Sequence, residues 1–272
     1  MSAQANPKRT LRILSLLLAT VLLTVGLSGA AWAQAKELQA ADCKVRSAHS
    51  SAQPLRVVEL YTSEGCSSCP PADRWLSQLK GRPDVLALAF HVTYWDRLGW
   101  PDRFASPEFT ERQYAIAQRA GSRQVYTPQV LVDGKDWRGW PALPQSQKSP
   151  STASPSPDPP PSLRLQRDGD QVTATVEAWN GPGQLSGYFA VLEDNHQSHV
   201  RAGENAGENL RHDHVVRSLK PVPAWNATQG TQVKLGVTAG TAEHPRRVAF
   251  VVQEAGSQRP LQALALGCTA PN

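Results

Sequence analysis

Residues 57–80 read VVELYTSEGCSSCPPADRWLSQLK. An apolar run from Val57-Val58 through Tyr61, of the kind a buried strand needs, feeds into Cys66-Ser67-Ser68-Cys69. From there Ala72, Trp75, Leu76 and Leu79 recur at i, i+3, i+4 and i+7, which predicts one apolar helical face. Two thiols at that spacing close a small disulfide ring at a helix N-terminus, where unpaired N–H groups and the helix dipole stabilise a thiolate. Cys66, the more N-terminal thiol and the one expected to be exposed, is the candidate nucleophile. Cys69, one turn inside, is the candidate resolving partner. C-x-x-C is also half of a zinc site, but no second C-x-x-C or C-x-x-H completes four ligands. Pro70 and Pro71 fall in the first helical turns, where a missing N–H matters least.

Working outward, Gly81 and Pro83 stop the helix. The run Val85 to Val92, VLALAFHV, predicts a second strand. Ser106-Pro107-Glu108 then supplies an N-cap, a first-turn proline and a dipole-favourable acid for a helix that ends at Gly121. Tyr126-Thr127-Pro128-Gln129 leads into the strand-like Val130-Leu131-Val132 and the turn Asp133-Gly134. This βαβαβ order implies a parallel pair plus an antiparallel hairpin. A Thr-Pro before such a strand is the usual companion of a C-x-x-C of the thioredoxin type, and the chain resembles the thioredoxin superfamily at these two places. It is more closely similar to a secreted thioredoxin-like family known as domain of unknown function 1223, through VVELYTSEGCSSCPPAD, HVTYWDRLGWPDRFASPEFTERQYA, VYTPQVLVDG and GENAGENLRHDHVVR. The resemblance implies a cis Pro128 whose neighbouring backbone pairs with substrate beside the reactive sulfur. It also implies a buried carboxylate, at Glu59, that moves protons for the resolving cysteine; an edge-facing or solvated Glu59 is the alternative.

The N-terminus reads as a signal peptide, residues 1–33. Lys8, Arg9 and Arg12 precede the apolar run Ile13 to Leu27, and Ala31-Trp32-Ala33 is a cleavage pattern. That run is shorter than the roughly 20 residues a spanning helix needs. The formal charge of +5 loses three basic residues with the signal, so the mature chain offers no electrostatic case for nucleic acid. Export is expected to a periplasmic or secreted location, where disulfides persist. Cys43 and Cys268, at opposite ends of the mature chain, are expected to form a structural bridge; two unpaired thiols are the alternative.

Residues 141–162 hold eight prolines among Ser, Gln and Ala, which reads as a semi-extended linker. It separates an expected thioredoxin-like domain, 34–140, from a second domain, 163–272. In the latter Val172, Ala174, Val176 and Ala178 alternate with polar residues, and further strand-like runs are Tyr188 to Leu192, Val215 to Leu219, Val233 to Val237, Val248 to Val252 and Leu261 to Leu266. The expected fold class is therefore an α/β thioredoxin-like domain followed by an all-β, sandwich-like domain.

Glu64, Tyr94, Trp95, Asp96 and Trp100 should lie around the C-x-x-C, as a platform for a peptide or as a satellite core. His196, His199, His212 and His214 crowd one stretch, with His212 and His214 expected on one strand face; loop histidines on a polar surface are the alternative. Met1 is the only methionine, which excludes a thioether copper site, and no phosphate loop, G-x-S-x-G elbow or paired-carboxylate motif occurs. The leading reading is an exported thiol–disulfide oxidoreductase without cofactor, acting on exported protein thiols or disulfides with a membrane redox partner. The alternatives are a metal-binding module in which Cys66, Cys69 and a histidine such as His91 hold copper or zinc, and a redox-silent binding protein with the β-sandwich as its working surface and the C-x-x-C as a staple.

Overall fold

Every residue of β2 (Arg56–Thr62) after the first is buried, and so is every residue of β3 (Val85–His91) after the first. Strands apolar on both faces must be covered on both, which suits parallel pairing. The two run parallel, with Val58 opposite Ala87 and Leu60 opposite Ala89. The chain is seen in a computed structural model that describes residues 45–140, 159–181 and 183–268. Helix α1 (Pro70–Ser77) is the crossover, burying Ala72, Trp75 and Leu76 against Val58, Leu60, Ala87, Ala89 and Val130. Helix α2 (Pro107–Arg119) covers the other face through Phe109 and Ile116. Its start is the expected one: Ser106 Oγ accepts the Glu108 N–H and Pro107 sits in the first turn. β4 (Gln129–Val132) runs antiparallel to β2 and turns through Asp133 and Gly134 into β5 (Lys135–Asp136). Both turn residues have positive φ, 50° and 80°, which Asp-Gly tolerates.

The strands of the second half do not form a body of their own. β8 (Gln184–Glu193), β11 (Val215–Asn226), β13 (Arg246–Glu254) and β14 (Pro260–Cys268) pair antiparallel, and β11 joins β3 in parallel with Val215 opposite Ala89. The result is one eight-stranded sheet ordered β14-β13-β8-β11-β3-β2-β4-β5. A four-stranded sheet ordered β1-β6-β7-β12 is built from β1 (Val45–His49), β6 (Leu163–Asp168), β7 (Gln171–Val176) and β12 (Thr231–Gly236). Leu163, Leu165, Val172 and Ala174 from that sheet meet Phe189, Val191, Val248 and Phe250 from the large one. A hairpin of β9 (His196–His199) and β10 (Asn209–His212) completes the described strands.

This corrects the expected fold class. Among the described residues strand accounts for 44% and helix for 14%, with two α-helices, and the large sheet runs without interruption from the C-x-x-C half into the strands of the second half. An α/β thioredoxin-like domain followed by a separate β-sandwich is not what forms. The physical reason lies at β3. Leu86, Leu88 and Phe90 share the α2-facing side of the sheet with Tyr188, Ala190, Leu192 and Val216 of the neighbouring strands, so a single core spans both halves. All described residues fall in one compact unit, 43–270.

Candidate functional site

β2 delivers the chain at Thr62 to Ser63-Glu64-Gly65 and then to the motif. A Cβ at Gly65 would lie 3.0 Å from Trp95 Cβ, so glycine here lets the Trp95 loop close on the segment. Cys66 and Cys69 are joined by a disulfide, with Cα atoms 5.4 Å apart. Cys69 is the N-cap residue of α1, and its carbonyl accepts the N–H groups of Ala72 and Asp73 at 2.9 and 3.1 Å. Both sulfur-bearing residues are 0% exposed, whereas Ser67 and Ser68 between them face solvent. Cys66 is therefore not the more exposed thiol expected from its position.

Three loops meet over the motif. Ser68 Oγ lies 3.4 Å from Cys66 Sγ and 3.5 Å from the Thr127 carbonyl oxygen, to which it donates. Trp95 Nε1–H donates to Thr127 Oγ1 at 2.8 Å, and the Thr127–Pro128 peptide is cis. Pro128 thus directly follows the residue whose carbonyl Ser68 contacts. The third loop, between β9 and β10, was not anticipated. Asn205 Nδ2 donates to the carbonyls of Glu64 and Cys66 at 2.9 and 3.0 Å, and Glu204 Oε2 accepts the Ser67 N–H at 3.1 Å and the Ser67 hydroxyl at 2.8 Å. These partners are more than 130 residues apart along the chain. Their sequence signal is the GENAGENLRHDHVVR stretch, which carries family resemblance but no motif of its own.

Beneath the motif lies a buried polar group. Glu64 Oε2 accepts from Trp100 Nε1 at 2.7 Å, and Glu64 Oε1 is 3.3 Å from His212 Nε2. Burial pushes the Glu64 carboxyl up, but His212, Ser198 and Trp100 together hold it below the usual range. His91 Nδ1 lies 2.7 Å from Asp102 Oδ2, both side chains fully buried. Burial disfavours charge on each, and their mutual attraction outweighs it: His91 is raised, and Asp102, which also accepts the Glu64 and Phe104 N–H groups, falls to about 2. Asp73, one turn after Cys69 on α1, accepts from Thr62 Oγ1 at 3.1 Å and is raised, burial overriding the pull of His212 and His91.

Glu59 is elsewhere. It belongs to the face of β2 that α2 covers, where it accepts from Tyr61 and Tyr188 at 3.1 and 3.0 Å and pairs with Arg112 Nη2 at 2.7 Å. It lines a cavity of about 400 Å³ with Arg112, Tyr126, Gln129 and Asp136. The structure does not bring it to the disulfide. Of the four clustered histidines, 196, 199, 212 and 214, only His199 is exposed. His196 is stacked on His244 with ring centroids 4.1 Å apart, and the turn at Asp213–His214, with His214 at φ 58°, breaks the strand alternation and sends His212 to Glu64 but His214 to Arg247. Among the described residues no group of three or more His, Cys, Asp or Glu is arranged to hold a metal ion. Cys43, the Cys268 side chain, the signal segment 1–33 and residues 141–158 of the linker lie outside the described residues.

The sequence profile of a family described as "Protein of unknown function (DUF1223)" matches residues 57–253, and the chain belongs to that family. Among solved structures it is similar to Protein AGR_C_4864 from Agrobacterium tumefaciens, with 30% identity over 78% of this chain and 93% of that one and a TM-score of 0.56. It is also similar to HBP35 of Porphyromonas gingivalis, with 15% identity over 80% and 76% and a TM-score of 0.51, a likeness of fold alone. No curated protein matches.

Proposed function

We propose that this DUF1223 protein is an exported thiol–disulfide oxidoreductase acting on protein thiols or disulfides, with a redox site of the thioredoxin-superfamily kind. The observation that carries the reading is the Cys66–Cys69 disulfide at a strand end and helix start, with the Thr127-Pro128 loop hydrogen-bonded against Ser68 between the two sulfurs. In the reducing direction the Cys66 thiolate attacks a substrate disulfide, forms a Cys66–substrate bond and releases the other substrate sulfur as a thiolate, which takes a proton. The Cys69 thiolate then attacks Cys66 Sγ, closes the Cys66–Cys69 bond and releases the second substrate thiol. Two electrons pass to the substrate; the opposite sequence oxidises a dithiol. Asp73, rather than Glu59, receives the Cys69 proton in this reading, because it is buried one helical turn from Cys69 with its carboxyl pKa raised.

One observation favours the staple reading instead: both cysteines are 0% exposed, so a substrate reaches Cys66 only if a covering loop moves. Trapping separates the two. Cys69→Ser in the exporting host should accumulate mixed disulfides with exported proteins, while Cys66→Ser should not, since only the first variant keeps the attacking thiol and lacks the resolving one. Equal behaviour of the two variants would establish the staple.

A further inference from the structure

We propose that Glu204 is a positioning residue that sets how readily the Cys66–Cys69 disulfide is reduced, by holding a negative charge on the backbone N–H between the two sulfurs. The inference rests on the oxidoreductase reading. The helix itself leaves no free N–H beside the sulfurs, since Pro70 and Pro71 have none and Ala72 and Asp73 donate to the Cys69 carbonyl. The Ser67 N–H, next to Cys66 and ahead of the N-cap Cys69, is therefore the backbone donor a Cys66 thiolate would otherwise use. Here the Ser67 N–H is already taken, donating to Glu204 Oε2 at 3.1 Å, with the Ser67 hydroxyl on the same oxygen at 2.8 Å. The loop that brings Glu204 is fastened to the motif, since the buried Asn205 donates to the carbonyls of Glu64 and Cys66 at 2.9 and 3.0 Å. Glu204 itself faces solvent, and its carboxyl is held below the ordinary range by the Ser67 N–H and hydroxyl, so it is ionised at neutral pH.

The charge acts on the two redox states unequally. In the disulfide, Cys66 sulfur is neutral and Glu204 only satisfies the Ser67 N–H. When the bond opens, two glutathione thiols give up two electrons and two protons to the pair, yielding one glutathione disulfide and the Cys66 and Cys69 thiols. Cys66 then loses its proton to become the nucleophile. That thiolate forms one residue from a fixed carboxylate and without the Ser67 N–H. Glu204 therefore raises the Cys66 pKa and favours the disulfide. Relative to the same motif without this carboxylate, it makes the pair harder to reduce and the reduced protein the stronger reductant.

The test compares the full chain with Glu204→Gln, which keeps an acceptor oxygen for Ser67 but removes the charge, and with Glu204→Asp, which keeps the charge. Two quantities are read: the thiol–disulfide equilibrium constant against glutathione, and the Cys66 pKa from thiolate absorbance across pH. Glu204→Gln should lower the Cys66 pKa and shift the equilibrium about two- to fivefold toward the dithiol, the worth of one charge at a helix end. The shift should shrink at high salt, and Glu204→Asp should restore most of the wild-type value. A wild-type pair that exchanges with glutathione while Glu204→Gln leaves both quantities unchanged overturns this inference alone. A pair that never exchanges in the folded protein overturns it together with the oxidoreductase reading.

Discussion

His214 Nδ1 accepts a hydrogen bond from Arg247 Nη2 at 2.8 Å, so a proton arriving on that nitrogen would set two cations against each other. Burial first, then Arg247, hold its pKa down at about 4 against the opposing pull of Asp194 and Asp213. The unfolded chain takes that proton near pH 6.5. Between pH 6.5 and about 4 the unfolded state therefore binds a proton that the folded state refuses, and stability should fall as pH falls through that window. His214→Asn, a residue that tolerates the positive φ here, should reduce the slope of melting temperature against pH in the window; an unchanged slope would contradict the assignment. Asp102 has the depressed-carboxylate sign: its stabilisation is full above pH ~3.9 and lost as pH falls toward its folded value of about 2. Removing that charge at neutral pH leaves His91 buried without its partner, so Asp102→Asn should destabilise by ~3–5 kcal/mol in urea titrations. A loss below ~1 kcal/mol would show the pair to be dispensable, as exposed pairs are. The two thiols were legible from their spacing, whereas the Thr127-Pro128 pair was placed by the thioredoxin resemblance and Trp95 by its loop; Ser68 and Trp95 both bond to Thr127. Glu59 was misplaced for a readable reason. Val57, Glu59 and Tyr61 share one strand parity and Val58 and Leu60 the other, and it is Val58 and Leu60 that meet α1. Glu204, Asn205 and His212 were out of reach, because no local pattern says which distant loop folds over a motif.

At the scale of elements, α2 is tied to β2 and β8 by one buried cluster. Arg112 lies over the rings of Phe90 and Tyr188 at 5.5 and 4.8 Å and pairs with Glu59, which also accepts from Tyr61 and Tyr188. Arg112→Met fills similar space but strands the Glu59 charge, and should destabilise by ~3–5 kcal/mol. Combining it with Glu59→Gln, which keeps an acceptor for the tyrosine hydroxyls, should regain most of that loss. Strictly additive single and double variants in denaturant titrations would mean the two side chains do not act as a pair. Helix α1 was readable from its 3.6-residue period, β7 from its alternation, β2 and β3 from their continuous apolar runs, and the start of α2 from Ser106-Pro107-Glu108. Short elements such as β5 and the β9–β10 hairpin have too few residues to show a period. The hairpin's alternate burial, with His196, Ser198, Leu210 and His212 inward, is filled mostly by polar side chains that a hydrophobic pattern overlooks.

For the whole molecule, the joint between β3 and β11 matters most, and it was invisible in the sequence because strand pairing across a proline-rich stretch leaves no local trace. The Ala89 N–H donates to the His214 carbonyl at 2.8 Å, and Leu86, Leu88, Phe90 and Phe109 share a core with Tyr188, Ala190, Leu192 and Val216. Each such side chain is worth ~1.5–3 kcal/mol when buried, against a total stability of ~5–15 kcal/mol for a domain. A fragment of residues 34–140 alone should therefore lack a cooperative melt and dispersed amide resonances; a folded fragment would show the first half to be self-sufficient. The export proposal predicts a mature N-terminus at Gln34 by intact mass, and a retained full-length chain would oppose it. The central proposal, that the C-x-x-C is chemically active, is tested most directly by a redox titration of the folded wild-type protein against glutathione and dithiothreitol. The oxidoreductase reading predicts a reversible two-electron transition of Cys66–Cys69, with a midpoint more oxidising than roughly −300 mV, the range above structural disulfides. A pair that stays oxidised to lower potentials, or opens only when the protein unfolds, would contradict it.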